Sequence, residues 1–217
     1  MADAEHDEFL MAVAGRLPPE RAELCRLLHR FTQERLEAAR LRREGLLTAL
    51  SAGESQAAAI ELHEFLRECW EALDGLAREV NVCMHEIFPN TGLYPPGQMT
   101  RQCTFYVVRK TLREHPVTAG HPLSRLLWDA TRGRPAGEYD KLSFLYNLSL
   151  FMPVDLVGEG ELPAAADLTD AARRVVKPSA VARDPAPEGT AAMLEWVEGL
   201  VKECYAHLRQ ALGGATR

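Results

Sequence analysis

The sequence predicts an all-α protein, an antiparallel bundle of four to five main helices with an irregular arm before the C-terminal helix. The strongest observation is segment 62–87, where apolar residues recur at steps of three and four, the spacing of one helical face. Two adjacent apolar rows lie along this segment, and their combined width predicts a central bundle helix rather than a coiled-coil seam. The rows are Leu66, Trp70, Leu73, Ala77, Val80, Met84 and Ile87, and Leu62, Phe65, Cys69, Ala72, Leu76 and Cys83.

Two further amphipathic segments support this fold class. One begins at Pro19, because proline's missing N–H is tolerated in a first helical turn, and extends to about Leu50. We expect its buried side to carry the apolar residues Leu24, Leu27, Leu28, Phe31, Ala38 and Leu41. The other extends from about Thr190 to Leu212, with a core row of Met193, Val197, Leu200, Cys204 and Leu208 flanked by Trp196 and Tyr205.

Glycine and proline delimit the shorter segments, because both are costly inside a helix. We predict a helix at 8–15, the central helix at 54–88, an ordered loop at 89–99, helices at 100–113, 122–133 and 138–151, and an irregular connection at 153–188. Part of that connection should pack as an arm over the bundle, since structureless connections of this length are uncommon in compact domains. We divide the chain into an N-terminal extension, 1–18, and one helical domain, 19–217.

Composition limits the classes of protein to which the chain can belong. Its 217 residues can bury a core without disulfides or metal, and a net charge of −6 argues against a protein that coats nucleic acid. The five cysteines form no Cys-x-x-Cys pair, which indicates free thiols in a reducing compartment. The sequence shows neither a signal peptide nor an apolar run approaching the roughly 20 residues that cross a bilayer. We expect a bacterial-type cytoplasmic protein without membrane contact.

The motifs of common catalytic sites do not occur in the sequence. The two His-Glu pairs, His63-Glu64 and His85-Glu86, lie about 33 Å apart on one helix, so they cannot share a metal ion. Neither a Gly-x-Ser-x-Gly nucleophile motif nor a glycine-rich phosphate loop is present. We therefore expect neither a metal nor a cofactor.

Glu79 interrupts the second apolar row of the central helix. Because burying a lone carboxylate is costly, Glu79 requires a partner, and we expect Arg109 on the next helix. A polar stripe beside it recurs at steps of four, three and four: Asp74, Arg78, Asn81 and His85. One interpretation of the stripe is a solvent face with an Asp74–Arg78 ion pair. The other is a polar cleft flanked by Glu79 and Asn81.

Two segments resemble bacterial helical bundles of the HEPN superfamily. The run Leu73-Asp74-Gly75-Leu76-Ala77-Arg78-Glu79-Val80-Asn81 is similar to their central helix, in which Leu-Asp-x-Leu-Ala-x-Glu-Ile-Asn is typical. Residues 139–151 resemble the helix that usually carries an Arg-Asn-x-x-x-His motif, and the passage through Asp184-Pro185 into the last helix is also similar. The resemblance covers about residues 55–212. It implies a helical bundle, a metal-independent ribonuclease site and dimerisation that joins two copies of the motif.

The resemblance also implies that this nuclease site is inactive. In the family the arginine steadies the phosphate, and the histidine assists attack of the ribose 2′-hydroxyl or protonates the leaving group. Asn147 matches the motif, but Tyr146 stands in place of the arginine and Phe151 in place of the histidine. Tyrosine carries no positive charge, and phenylalanine has no titratable proton.

We therefore expect a non-enzymatic HEPN-like module that acts through contact with a protein partner or a second copy. The loop residues Leu93, Tyr94 and Met99 are the contact candidates. The alternative for this loop is packing against its own bundle.

Two other functions stay open. The first is metal-independent RNA cleavage at a displaced site formed by Arg109 and His115, whose separation fits a looser spacing of the motif. The second is binding of a small ligand in a polar cleft of the bundle, with Glu79, Asn81, Tyr146 and Asn147 as candidate residues.

Overall fold

The computed structural model describes residues 2–99, 102–131, 138–150 and 186–213. Within these ranges it contains seven α-helices, which confirms the predicted all-α class. They are α1 (Ala2–Arg16), α2 (Pro19–Ser51), α3 (Ser55–Ile87), α4 (Phe105–Glu114), α5 (Pro122–Asp129), α6 (Glu138–Ser149) and α7 (Ala186–Gly213), with a short 3₁₀ turn at Pro96–Gln98. The predicted irregular arm lies outside the described residues as far as 185, and the antiparallel order of the helices stays a prediction.

The bounds of α2 and α3 agree with the predicted ones, whereas α7 begins earlier than the predicted Thr190 and α4 begins later than predicted. Two acceptors explain its start at Phe105. The Thr104 hydroxyl accepts the Val107 N–H, and the Asp74 carboxylate on α3 accepts the Phe105 N–H at 2.8 Å. They satisfy two of the N–H groups that every helix leaves open in its first turn, so this helix begins where its acceptors lie.

The buried side of α2 differs from the predicted one. Leu27 and Leu41, expected in the core, expose 46% and 59% of their surface. The side chains that are buried instead recur at helical spacing and include two polar ones: Ala22, Cys25, His29, Thr32, Leu36, Ala39 and Leu46. The prediction of the buried row was wrong because His29 and Thr32 are polar, and polar residues are usually expected at the surface.

Contacts divide the chain into two compact units, the first formed by Met1–Gln33, Ala72–Ala130 and Glu198–Arg217, the second by Glu34–Glu71 and Thr131–Val197. The predicted boundary at residue 18 stays a prediction, and α1 belongs to the first unit. Its Phe9 is fully buried and stacks on Tyr205 of α7, with the ring centroids 4.7 Å apart. Burial of a side chain of this size contributes roughly 1.5–3 kcal/mol.

The second unit has an apolar core of its own and a network of charges. The core includes Leu36, Leu46, Phe65, Leu66, Leu142, Leu148 and Val197. Glu68 of α3 is buried and accepts hydrogen bonds from Arg35 at 2.8 Å and from Arg67 at 2.9 Å. The hydrogen bond to Glu68 raises the pKa of Arg67. The buried carboxylate is thus compensated by two guanidinium groups, as the cost of burying a charge requires.

The loop after α3 is attached to that helix through Asn81. The Asn81 amide is completely buried; it donates to the Tyr94 carbonyl at 2.8 Å and accepts the Tyr94 N–H at 2.9 Å. Asn90 and Gly92 adopt positive φ values of 69° and 77°, a region that asparagine and glycine tolerate better than other residues. These features hold the loop against the rest of the first unit, and Leu93 of the loop is buried.

We predict that Asn81→Asp lowers the free energy of unfolding by roughly 1–3 kcal/mol, because a carboxylate cannot donate to the Tyr94 carbonyl. Asn147→Asp is the matched control, since Asn147 is half-buried and donates to the Ser143 carbonyl of its own helix at 2.7 Å. Urea denaturation followed by circular dichroism measures both variants. Equal losses for the two variants would contradict the role assigned to Asn81.

Candidate functional site

The candidate site of the first unit is a buried polar cluster around Glu79 of α3. The Glu79 side chain has no exposed surface. Its Oε1 accepts hydrogen bonds from the Thr32 hydroxyl at 2.5 Å and from the Tyr205 hydroxyl at 3.0 Å. Its Oε2 lies 3.2 Å from Nδ1 of His29. Helices α2, α3 and α7 each contribute to the cluster, so it connects segments far apart in the chain.

Gly75 makes room for this cluster one helical turn before Glu79. A Cβ atom at position 75 would lie 2.7 Å from the Thr32 hydroxyl oxygen and 3.0 Å from Cδ1 of Phe31. Glycine therefore allows α2 and α3 to approach closely enough for Thr32 to reach the carboxylate. The glycine costs helix propensity, roughly 1 kcal/mol relative to alanine, and the cluster compensates for it.

Burial raises the pKa of the Glu79 carboxyl, and the hydrogen bonds from His29, Thr32 and Tyr205 oppose this shift. Burial also raises the pKa of Tyr205 well above its usual range, with Glu79 as the next cause. Both shifts favour neutral forms, because a charge is poorly solvated in an apolar interior. The Thr32 hydroxyl also lies 3.1 Å from the Leu28 carbonyl, so it has an acceptor whether or not Glu79 carries the proton.

Helix α1 covers this cluster. The His6 ring lies edge-on to His29 and to Tyr205, with centroids 5.2 and 5.6 Å apart. Phe9 packs against the same two rings at 5.6 and 4.7 Å. The cluster is therefore enclosed by aromatic rings, and its polar atoms bond to one another.

Two cysteines of α2 and α3 lie in contact within the same unit. The sulfur atoms of Cys25 and Cys83 are 3.8 Å apart, and both thiols are free and buried. The hydrogen bond to Cys83, followed by burial, holds the pKa of Cys25 well above its usual range. The raised pKa leaves little thiolate at Cys25, so this thiol packs against Cys83 as a small hydrophobic group.

The predicted partner of Glu79 was wrong, and two residues of the polar stripe bind backbone groups of the protein. The three groups bonded to Glu79 do not include Arg109, because α2 and α7 supply donors from within the core. In the polar stripe, Asn81 is fully buried and the half-buried Asp74 binds the start of α4, whereas Arg78 and His85 are half-buried. Asn81 and Asp74 thus hold backbone groups of the loop and of α4.

Arg109 and His115 both belong to α4 and its end, but their described contacts are with different groups. The Arg109 guanidinium carbon lies 4.8 Å from the centroid of the Tyr106 ring and 5.4 Å from that of Trp128. His115 is the C-terminal cap of α4, and its Nδ1 accepts the Val117 N–H at 3.3 Å. Arginine over aromatic faces is attracted by the ring quadrupole, which gives this side chain a packing role.

Tyr146 and Asn147 lie in the second unit, on α6. The Tyr146 ring stacks between Trp70 and His63, with centroids 5.7 and 6.0 Å away. Nδ1 of His63 lies 2.8 Å from the Ser149 hydroxyl, which donates to the Tyr146 carbonyl at 2.7 Å. At the position where the family resemblance implies an arginine, this chain therefore has a tyrosine that stacks on two other rings. Phe151 lies outside the described residues.

The loop candidates differ in exposure. Leu93 is buried at 6% exposure, whereas Tyr94 and Met99 are half-buried. Packing of Leu93 on its own unit favours the alternative stated for this loop, because a buried side chain cannot contact a partner without local opening. Sequence reasoning missed His29, Thr32 and Tyr205 as partners of Glu79. The signal that could have revealed the first two is their place in the helical row of Cys25 and Leu36.

The described residues contain no group of three or more histidine, cysteine or acidic side chains arranged to hold a metal ion. Within the same ranges, no helix combines the length and apolarity that a bilayer crossing requires. Comparisons with known protein families, curated proteins and solved structures found no match.

We predict that Gly75→Ala lowers the free energy of unfolding by roughly 1–3 kcal/mol, because the new methyl group would displace Thr32 and Phe31. Gly199→Ala in α7 is the control, since a Cβ there meets no atom of the described residues within 4 Å. That variant should gain up to about 1 kcal/mol from helix propensity. Thermal unfolding of both proteins measures the difference, and a stabilised Gly75→Ala variant would show that the close approach is not required.

We predict that the wild type loses unfolding free energy relative to Glu79→Gln as the pH rises above the ordinary glutamate value of 4.5. A raised pKa in the folded state means that the contribution of Glu79 is complete below 4.5 and is lost as the pH rises through the raised value. The loss is about 1.4 kcal/mol for each unit by which the pKa is raised. Denaturation across this pH range measures it, and Glu37→Gln, at an exposed position, should parallel the wild type.

Proposed function

We propose that the chain is a non-catalytic, HEPN-like helical module of the cytoplasm that acts through contact with a protein partner or with a second copy of itself. The observation that supports this proposal is that the candidate polar residues of α3 form hydrogen bonds within the protein. Glu79 is fully enclosed and bonded to three side chains, and Asn81 is bonded to the backbone of Tyr94. Groups that serve the fold in this way are not available to a substrate, so surface contact is the function that this arrangement favours.

The other two functions receive less support. A small ligand at Glu79 would have to displace α1, because His6 and Phe9 cover the cluster. A displaced nuclease site would need the Arg109 guanidinium to leave the faces of two aromatic rings. Five free and buried thiols support the cytoplasmic location that we propose, since such thiols persist in reducing compartments.

We predict that the purified chain shows a light-scattering mass that rises with concentration and leaves a fluorescent RNA intact in EDTA. The first result follows from self-contact, the second from an inactive nuclease site. His115→Ala and Arg109→Ala variants are the controls for RNA decay. A wild type that stays at the mass of one copy and cleaves RNA, with cleavage abolished in either variant, would overturn the proposal.

A further inference from the structure

Two arginines and two aromatic rings alternate along α4 and α5 of the first unit. The arginine–aromatic row consists of Tyr106, Arg109 and Arg113 of α4 and Trp128 of α5. The Arg109 guanidinium carbon lies 4.8 Å from the Tyr106 centroid and 5.4 Å from the Trp128 centroid, and that of Arg113 lies 5.7 Å from the Trp128 centroid. One indole ring therefore contacts two positive charges.

Tyr106 and Arg113 of this row are exposed, whereas Arg109 and Trp128 are half-buried. Tyr106 exposes 50% of its surface, and nearby in the chain Val117 exposes 60%. Arg113 is exposed and donates to the Ala119 carbonyl at 3.2 Å, which fixes the direction of its guanidinium group. Among the described residues no carboxylate pairs with Arg113. Its planar fork of donors matches the two oxygens of a carboxylate.

The charge of this region is opposite to that of the whole chain. Residues 105–131 contain four basic side chains, Arg109, Lys110, Arg113 and Arg125, and two acidic ones, Glu114 and Asp129, whereas the chain carries −6. Lys110 and Glu114 lie 3.9 Å apart and compensate each other in part. A segment with net positive charge on an acidic protein attracts a short anionic peptide that contacts this segment alone.

We propose that the arginine–aromatic row is a docking surface for an acidic peptide segment that carries an aromatic side chain. A carboxylate of the segment binds Arg113, and the positive charge of Arg109 adds to the attraction. The aromatic ring of the segment packs on the half-exposed Tyr106. The inference rests on the proposed function of protein contact and names the chemistry of the partner. A nucleic acid fits less well, because an extended polyanion would also meet the acidic remainder of the chain.

Fluorescence anisotropy of labelled peptides tests this inference on the full chain. The probe is a peptide that repeats Glu-Asp-Phe, and the reference is the neutral peptide that repeats Gln-Asn-Phe. We expect the acidic peptide to bind and the neutral one to bind at least about tenfold more weakly. Added salt should weaken the binding of the acidic peptide. Equal binding of both peptides overturns the proposal. So does tighter binding of a labelled oligo-deoxythymidine, which would assign the surface to nucleic acid.

Two variants locate the binding on the row. Arg113→Gln should raise the dissociation constant of the acidic peptide about tenfold, because one charge-assisted carboxylate contact is lost. Arg26→Gln is the control, since it removes an exposed arginine that pairs with Glu23 on α2. Both substitutions lie at exposed positions, and circular dichroism verifies that the proteins are folded. An unchanged dissociation constant for Arg113→Gln overturns the proposal.

The outcomes separate this inference from the function on which it rests. A chain that self-associates and leaves RNA intact, yet binds no acidic peptide, contradicts only the identity of the partner. A chain that cleaves RNA contradicts the proposed function, whatever the peptides show.

Discussion

Compensation of the Glu79 carboxylate is the constraint on which the packing of the first unit depends. A carboxyl group without any exposed surface has to be neutralised or bonded on both oxygens, since an unpaired buried charge is costly. Donors from α2 and α7 meet this requirement, and Gly75 provides the space for one of them. The same carboxylate thus determines where two other helices place their polar side chains and how closely α2 approaches α3.

Helix α3 positions its surroundings mainly through polar side chains on its buried face. Asp74 satisfies an N–H of the first turn of α4, and Asn81 binds both backbone groups of Tyr94. Side chains of this kind specify direction, because hydrogen bonds depend on angle, whereas apolar contacts are non-directional. The apolar rows of α3 supply burial, and its polar residues supply the register of the loop and of α4.

The positions of the polar and charged groups favour recognition at the surface of the protein rather than binding in its interior. Glu79 and its polar partners are bonded to one another, and aromatic rings enclose them. On α4 and α5, in contrast, guanidinium groups lie against aromatic faces and leave a half-exposed tyrosine. Cation–π contacts of this type hold a charge in place without neutralising it, which suits a surface that recognises an oppositely charged partner.

Local patterns in the sequence were sufficient for the fold class and for most helix ends. Apolar spacing depends on the helix period alone, and Pro19, Pro89 and Gly213 act on the backbone of their own segment. The same reasoning identified Glu79 as an anomaly that needs a partner. It placed the buried side of α2 wrongly, because leucines such as Leu27 suggest a core even where they are exposed.

Only the tertiary structure decided which groups satisfy Glu79. Its partners His29, Thr32 and Tyr205 are 50, 47 and 126 positions away in the chain, and each stands on another helix. Whether a hydrogen bond forms depends on donor–acceptor distances that must be correct to within a few tenths of an ångström. Helical periodicity contains no information about such distances between helices. The sequence by itself therefore determined the helices and the need for a partner. The packing of three helices, made possible by the missing side chain of Gly75, decided the partners.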